Sequence, residues 1–126
     1  MIVIDTSALV RFFTQDDLQK AAQIKKLFDS DQTIMIPDVV FPELEYVVTG
    51  KVYKASRKNF TKALNYLTTR KNIIISQDIK KAVEIYANSN LDIADCIIAA
   101  SSIGCKLFSY DQRLLAVGGV KQAALD

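Results

Sequence analysis

Histidine is absent from the 126 residues. That removes Ser-His-Asp and Cys-His catalysis in their usual forms, and zinc sites that depend on imidazole. Chemistry must come instead from carboxylates, hydroxyls, lysines or a bound ion. Cysteine occurs only twice, at Cys96 and Cys105. The two fit no disulfide framework and no CxxC pattern, and they read as reduced thiols of a cytoplasmic protein. Cys96 lies beside Asp95 without a base to activate it, so burial is its expected role. No apolar run approaches the roughly 18–20 residues of a membrane span. No basic region precedes the apolar start, so no signal peptide is expected. Internal repeats and low-complexity tracts are missing as well.

What is present suits a globular chain. Half of the residues are hydrophobic and about a quarter charged, an ordinary balance. The length predicts one domain, 1–126, able to bury a core without disulfide or metal staples. The net charge of +2 is unevenly spread. Residues 51–81 hold nine basic side chains against one acid, Asp78, whereas the rest holds seven against thirteen. This asymmetry suits a polyanionic partner for the basic segment and a cationic one elsewhere. A solvated face of surface helices would give the same composition.

The first seven residues organise the chain. Ile2-Val3-Ile4 runs straight into Asp5, and the period changes at once through Ala8-Leu9-Val10 and Phe12-Phe13. This predicts a buried strand ending at Asp5 and a helix starting there. Ligands of open α/β sheets sit just beyond the carboxyl ends of such strands, although an aspartate in that position also caps helices well. A helix follows from Asp16-Asp17 to Phe28, then a strand over Thr33–Ile36. Pro37 ends that strand, and a helix carries Val40, Leu44 and Val48, with Glu43 in its first turns. Gly50 is a natural stop for it. Ser56 caps a helix whose buried stripe is Phe60, Leu64 and Leu67, with Arg57, Lys58 and Lys62 off the stripe. A third strand is expected over Asn72–Ile75, and Asp78 is expected to cap the helix after it. Leu91–Ile103 is a strongly apolar helix in which Asp92 and Asp95 share a face. A fourth strand over Lys106–Ser109 runs into Asp111, a short helix follows, and Val120 opens a small edge strand. The alternation predicts an α/β fold with a central, mainly parallel sheet of four to five strands flanked by helices.

In such a sheet Asp5, Glu43, Asp95 and Asp111 can emerge at one carboxyl edge and converge on one cleft. Two carboxylates at ~4 Å repel by roughly 4 kcal/mol at an effective dielectric of 20, so a bare cluster must protonate or capture a cation. All-oxygen ligands select hard ions, which makes Mg²⁺ or Mn²⁺ the natural occupant and a phosphodiester a natural substrate. Thr6 and Ser7, at the start of the first helix, are placed to bond a carboxylate or a phosphate oxygen. Capping or solvation accounts for Asp38 and Asp78, and burial in the core for Tyr110 and Phe12.

Four short motifs stand in order: Val3-Ile-Asp-Thr-Ser7; Ile36-Pro-Asp-Val-Val40 with Glu43 after it; Leu91-Asp-Ile-Ala-Asp95 with Ile98-Ala-Ala100; and Ser109-Tyr-Asp111. On these the chain resembles, over nearly its whole length, a PIN-domain ribonuclease, and in particular the VapC-type toxins of toxin–antitoxin pairs. The family's acids fall on Asp5, Glu43, Asp95 and Asp111, with Asp92 a frequent neighbour and further possible ligand. Family members often carry Asn in place of Ser7 and Thr-Phe in place of Ser109-Tyr110, changes that keep a polar group and an aromatic. The resemblance implies a single PIN-like domain and a Mg²⁺- or Mn²⁺-dependent endoribonuclease, usually a homodimer, held inactive by a cognate antitoxin. In that reading the basic segment, including Arg57, Lys58 and Lys62, holds the RNA backbone. Two alternatives stand beside it. One is a non-catalytic RNA- or partner-binding module on the same fold. The other is a phosphatase forming an aspartyl-phosphate on Asp5, which usually needs a second acid where this chain has Ser7.

Overall fold

A computed structural model describes residues 1–124, so the last two residues of the expected 1–126 domain lie outside the described residues. The chain divides into two compact units, Met1–Ser76 and Gln77–Asp126.

The first unit contains the sheet. Strands β1 (Ile2–Val3), β2 (Ile34–Met35) and β3 (Ile73–Ile74) pair in parallel in the order β1-β2-β3. Parallel neighbours need crossover connections. The first is made by α1 (Thr6–Thr14) and α2 (Leu18–Phe28), the second by α3 (Val40–Val48) and α4 (Arg57–Thr69). Isoleucines carry the strands. Ile34 and Ile36 are buried in the middle, with Ile73 and Ile75 beside them. The expected buried first strand is corrected: Val3 is 58% exposed and only Ile4 is buried. β1 lies at the end of the strand order, and a two-residue strand with one neighbour covers little of its own surface. The sheet also has three strands among the described residues, not four to five.

Local chemistry sets the helix limits. Asp5, Asp17 and Ser56 are extended residues whose side chains accept the N–H groups of Ala8, Lys20 and Asn59, and so open α1, α2 and α4. Pro42 is the third residue of α3, where its missing N–H has no intrahelical acceptor to disappoint. Gly50 is required by a close approach, since a Cβ there would meet the carbonyl oxygen of Tyr46 at 2.8 Å.

The end of α2 is fastened to the chain before β3. Phe28 is fully buried and meets Phe12 edge to face at 5.0 Å, with Tyr66 5.9 Å away. Arg70 lies over the Tyr66 ring and donates to the Phe28 carbonyl and to Asp29, both at 2.8 Å. The Asn72 carboxamide nitrogen lies 3.0 to 3.2 Å from the carbonyl oxygens of Phe28, Ser30 and Gln32, and so satisfies a turn that has no ladder of its own. Lys25 completes this corner by donating to Asp29 at 2.7 Å.

These contacts have a pH consequence. The Lys25 hydrogen bond is the largest influence on Asp29; with the Lys25 charge and Arg70 it outweighs desolvation and holds the carboxyl below its ordinary 3.8. A carboxyl lowered in the folded state adds stability that is fully present above the unfolded value and lost as pH falls through the folded one. Below pH 4, Asp29→Asn is therefore expected to lose less of its stability than the unmodified chain. Urea denaturation at pH 7 and pH 3 checks this, and equal losses in the two proteins would contradict it.

The second unit is helical: α5 (Gln77–Ala87), α6 (Ile93–Ser102) and α7 (Gln112–Leu115), with α6 packed on both others. Ile79, Ala82, Ile93 and Ala99 are fully buried. Cys96 is fully buried too, with its sulfur 3.9 Å from Ser89 Oγ, and neither cysteine forms a disulfide. Asp78 does not cap α5. It lies inside the first turn and accepts the Ser101 hydroxyl at 3.0 Å, joining α5 to α6. The expected fourth strand is likewise corrected. Among the described residues Lys106–Ser109 contributes a single parallel bridge, Leu107 to Gln122, made by Leu107 N–H to the Lys121 carbonyl and Ala123 N–H to the Leu107 carbonyl. The segment after Val120 supplies this partner. Among the described residues no helix is long and apolar enough to cross a membrane.

Candidate functional site

Asp5 follows β1 and caps α1. Ser7 Oγ donates to its Oδ1 at 2.7 Å and Ala8 N–H to the same atom at 3.2 Å. The Ser7 hydroxyl, then the Ala8 N–H, hold this exposed carboxyl below its ordinary value against a smaller opposing effect of desolvation. It is an anion at any physiological pH, and both capping bonds land on one oxygen. Capping and ligation therefore do not compete for the same atom. Glu43 is exposed and lies in the first turn of α3, after β2. Asp5, Thr6, Ser7 and Glu43 all line one cavity of about 650 Å³ in the first unit. The parallel order explains this, because helices that follow parallel strands start at the same edge of the sheet.

The same cavity holds two residues that sequence reasoning missed, Arg11 and Tyr53. The Arg11 guanidinium pairs with Asp16 at 2.5 Å, and the Tyr53 hydroxyl donates to the same Asp16 oxygen at 2.6 Å. Arg11 was within reach of the sequence: it stands four residues after Ser7 on α1, hence on the same helix face. Tyr53 gave no signal, since its partner is 37 positions away.

In the second unit Asp92 caps α6 by accepting the Asp95 N–H at 2.9 Å, and Asp111 caps α7 by accepting the N–H groups of Arg113 and Leu114. Asp95 is half-buried in the first turn of α6. Desolvation, then the charges of Asp92 and Asp111, raise its proton affinity, with Arg113 opposing them. Negative charge thus accumulates around Asp95. Asp111 is pushed up by desolvation but held lower by the Leu114 and Arg113 N–H groups and by the Arg113 charge. Tyr110, expected in the core, is 88% exposed and meets Phe108 edge to face at 5.3 Å. Phe12, by contrast, is half-buried among aromatic rings.

The basic side chains fall elsewhere. Lys62 lines a second cavity of the first unit, walled by Phe12, Phe13, Tyr53 and Tyr66. Lys58 is exposed and Arg57 half-buried on α4.

The donor set suits a hard divalent ion in kind, since every candidate ligand is a carboxylate oxygen. Among the described residues, no three acids or cysteines group closely enough to form a complete protein cage. Mg²⁺ does not need one: it keeps several waters and is commonly held by one or two carboxylates together with substrate phosphate. The pile-up of charge around Asp95 is the electrostatic condition that such an ion relieves.

Comparison with curated proteins found no match. The family model described as the PIN domain matches residues 2–120, nearly the whole chain, from the strand that leads into Asp5 past the helix that Asp111 caps, and the chain therefore belongs to the PIN-domain family, whose fold is of the nuclease type.

Proposed function

We propose that the chain is a Mg²⁺- or Mn²⁺-dependent endoribonuclease that hydrolyses RNA phosphodiester bonds. In this reading it is one PIN domain, the toxin of a toxin–antitoxin pair, acting in the cytoplasm as a homodimer restrained by a cognate antitoxin. The observation that carries the proposal is that Asp5 and Glu43, separated widely in sequence, line one cavity together with Thr6, Ser7 and Arg11. Asp5, Asp95 and Asp111 are the proposed direct ligands, Asp92 a further one, and Glu43 a ligand or the group that orients the attacking water. When bound, the ion would polarise the phosphodiester and lower the pKa of a water. Ser7 Oγ holds the Asp5 carboxylate in one rotamer. Thr6 is placed to bond a phosphate oxygen, and Arg57, Lys58 and Lys62 to attract the RNA backbone.

Incubating the purified chain with a set of structured RNAs in Mg²⁺, Mn²⁺ or chelator tests the reading. Cleavage with either ion and none with chelator is expected, and cleavage indifferent to chelator would overturn the metal assignment. One observation favours a second reading, a non-catalytic RNA- or partner-binding module: no three acids group closely among the described residues. Isothermal titration separates the two readings, because a non-catalytic module would take up neither ion. The aspartyl-phosphate alternative gains no support, as the position two residues after Asp5 is the serine that bonds it.

A further inference from the structure

The second unit contains a cavity that this chemistry leaves unused. It measures about 560 Å³ and is walled by the last turns of α5, the loop that follows and the chain around α7. That volume lies within the range of small-ligand sites. Its lining combines apolar Ile85, Leu91 and Val117, the first two of them buried, with polar Lys81, Asn90 and Arg113. Among the described residues Glu84 is the only acid in the lining, and Lys81 pairs with it at 3.2 Å. The Arg113 side chain is 73% exposed and lies 3.6 Å from Asp111, so one guanidinium belongs both to the cavity and to the surroundings of a proposed catalytic acid. A guanidinium fork matches phosphate oxygens in pairs, an ammonium adds a point charge, and a carboxamide offers both donor and acceptor to a base edge. Apolar side chains beside such groups suit the face of a base splayed out of a single strand.

We propose that this cavity is a subsite for one nucleotide of single-stranded RNA next to the bond that is cut, with Arg113 and Lys81 taking its phosphate and Asn90 meeting its base. The proposal rests on the ribonuclease reading for its substrate but not for its test. Short fluorescent single-stranded RNAs, one for each base, are titrated in chelator, where no cleavage interferes, against the full chain and against Lys81→Gln, Asn90→Ala and Arg113→Lys. Lys26→Gln, an equal loss of charge on α2, is the control. Arg113→Lys, which keeps the charge and loses the fork, and Lys81→Gln are each expected to weaken binding about tenfold, and Lys81→Gln alone to lower the salt dependence by about one counterion. Asn90→Ala is expected to flatten the preference among bases. Effects no larger than those of Lys26→Gln would leave the cavity to a protein partner's acidic side chain and overturn the proposal, as would a full chain that binds no RNA. Binding that depends on Arg113 and Lys81, without any cleavage when Mg²⁺ or Mn²⁺ is added, would sink the ribonuclease reading and leave the cavity as a nucleotide-binding site of a non-catalytic module.

Discussion

Asp5→Asn is expected to lower metal-dependent RNA cleavage on the order of a thousandfold or more while leaving the fold intact. The two halves of that expectation come from the two roles of one side chain. As a cap, Asp5 accepts Ser7 Oγ and Ala8 N–H through Oδ1 alone. Asparagine presents the same oxygen and ranks with aspartate as a cap, so the helix start should lose less than about 1 kcal/mol. As a ligand, Asp5 supplies a full negative charge, kept ionised by those same two donors, and asparagine supplies none. Asp5→Ala completes the comparison: it removes cap and charge together and adds a stability loss of about 0.5–2 kcal/mol. Thermal melting alongside a single-turnover cleavage assay separates the effects. Asp5→Asn that melts normally and still cuts RNA at the original rate would remove Asp5 from the chemistry and leave it only a cap.

The dual role also marks how far the sequence could be read. Strands that run into acids, and acids or serines that open helices, are local features; Asp17 and Ser56 cap the helices they were expected to open, and Asp92 and Asp111, read from the sequence as candidate ligands, cap α6 and α7. Asp78 missed by a residue or two, the usual precision of a helix boundary read from pattern. Lys106–Ser109 misled for a deeper reason. A short mixed run specifies extended backbone, but pairing depends on which chain lies beside it, and here that chain is only the Lys121–Ala123 backbone. That Asp5 and Glu43 line one cavity is a consequence of the parallel order, whereas the Arg11–Asp16–Tyr53 link depends on a loop that no periodicity describes. Tyr110 escaped because an aromatic beside a strand-like run is ordinarily buried, and nothing in its neighbours announces that it is open to solvent.

Phe28→Ala is expected to be the most destabilising single change in the first unit. Phe28 is fully buried, closes α2, and joins Phe12 and Tyr66 in one aromatic cluster. Truncating such a ring costs about 3–5 kcal/mol, the lost transfer energy plus the cavity left behind. Domains of this size are stable by roughly 5–15 kcal/mol, so the loss is a large part of the reserve, and the melting temperature should fall by roughly 10–20 °C. The main-chain carbonyl of Phe28 would still accept Arg70 and Asn72, so any loss reports the ring and not the polar corner around it. Phe28→Leu keeps most of the volume and should lose only about 1–2 kcal/mol. Urea denaturation of both variants decides the matter. If Phe28→Ala unfolds at the same midpoint as the unmodified chain, the edge-to-face cluster is incidental to the stability of this unit, and the polar corner fastens α2 to the chain before β3 by itself.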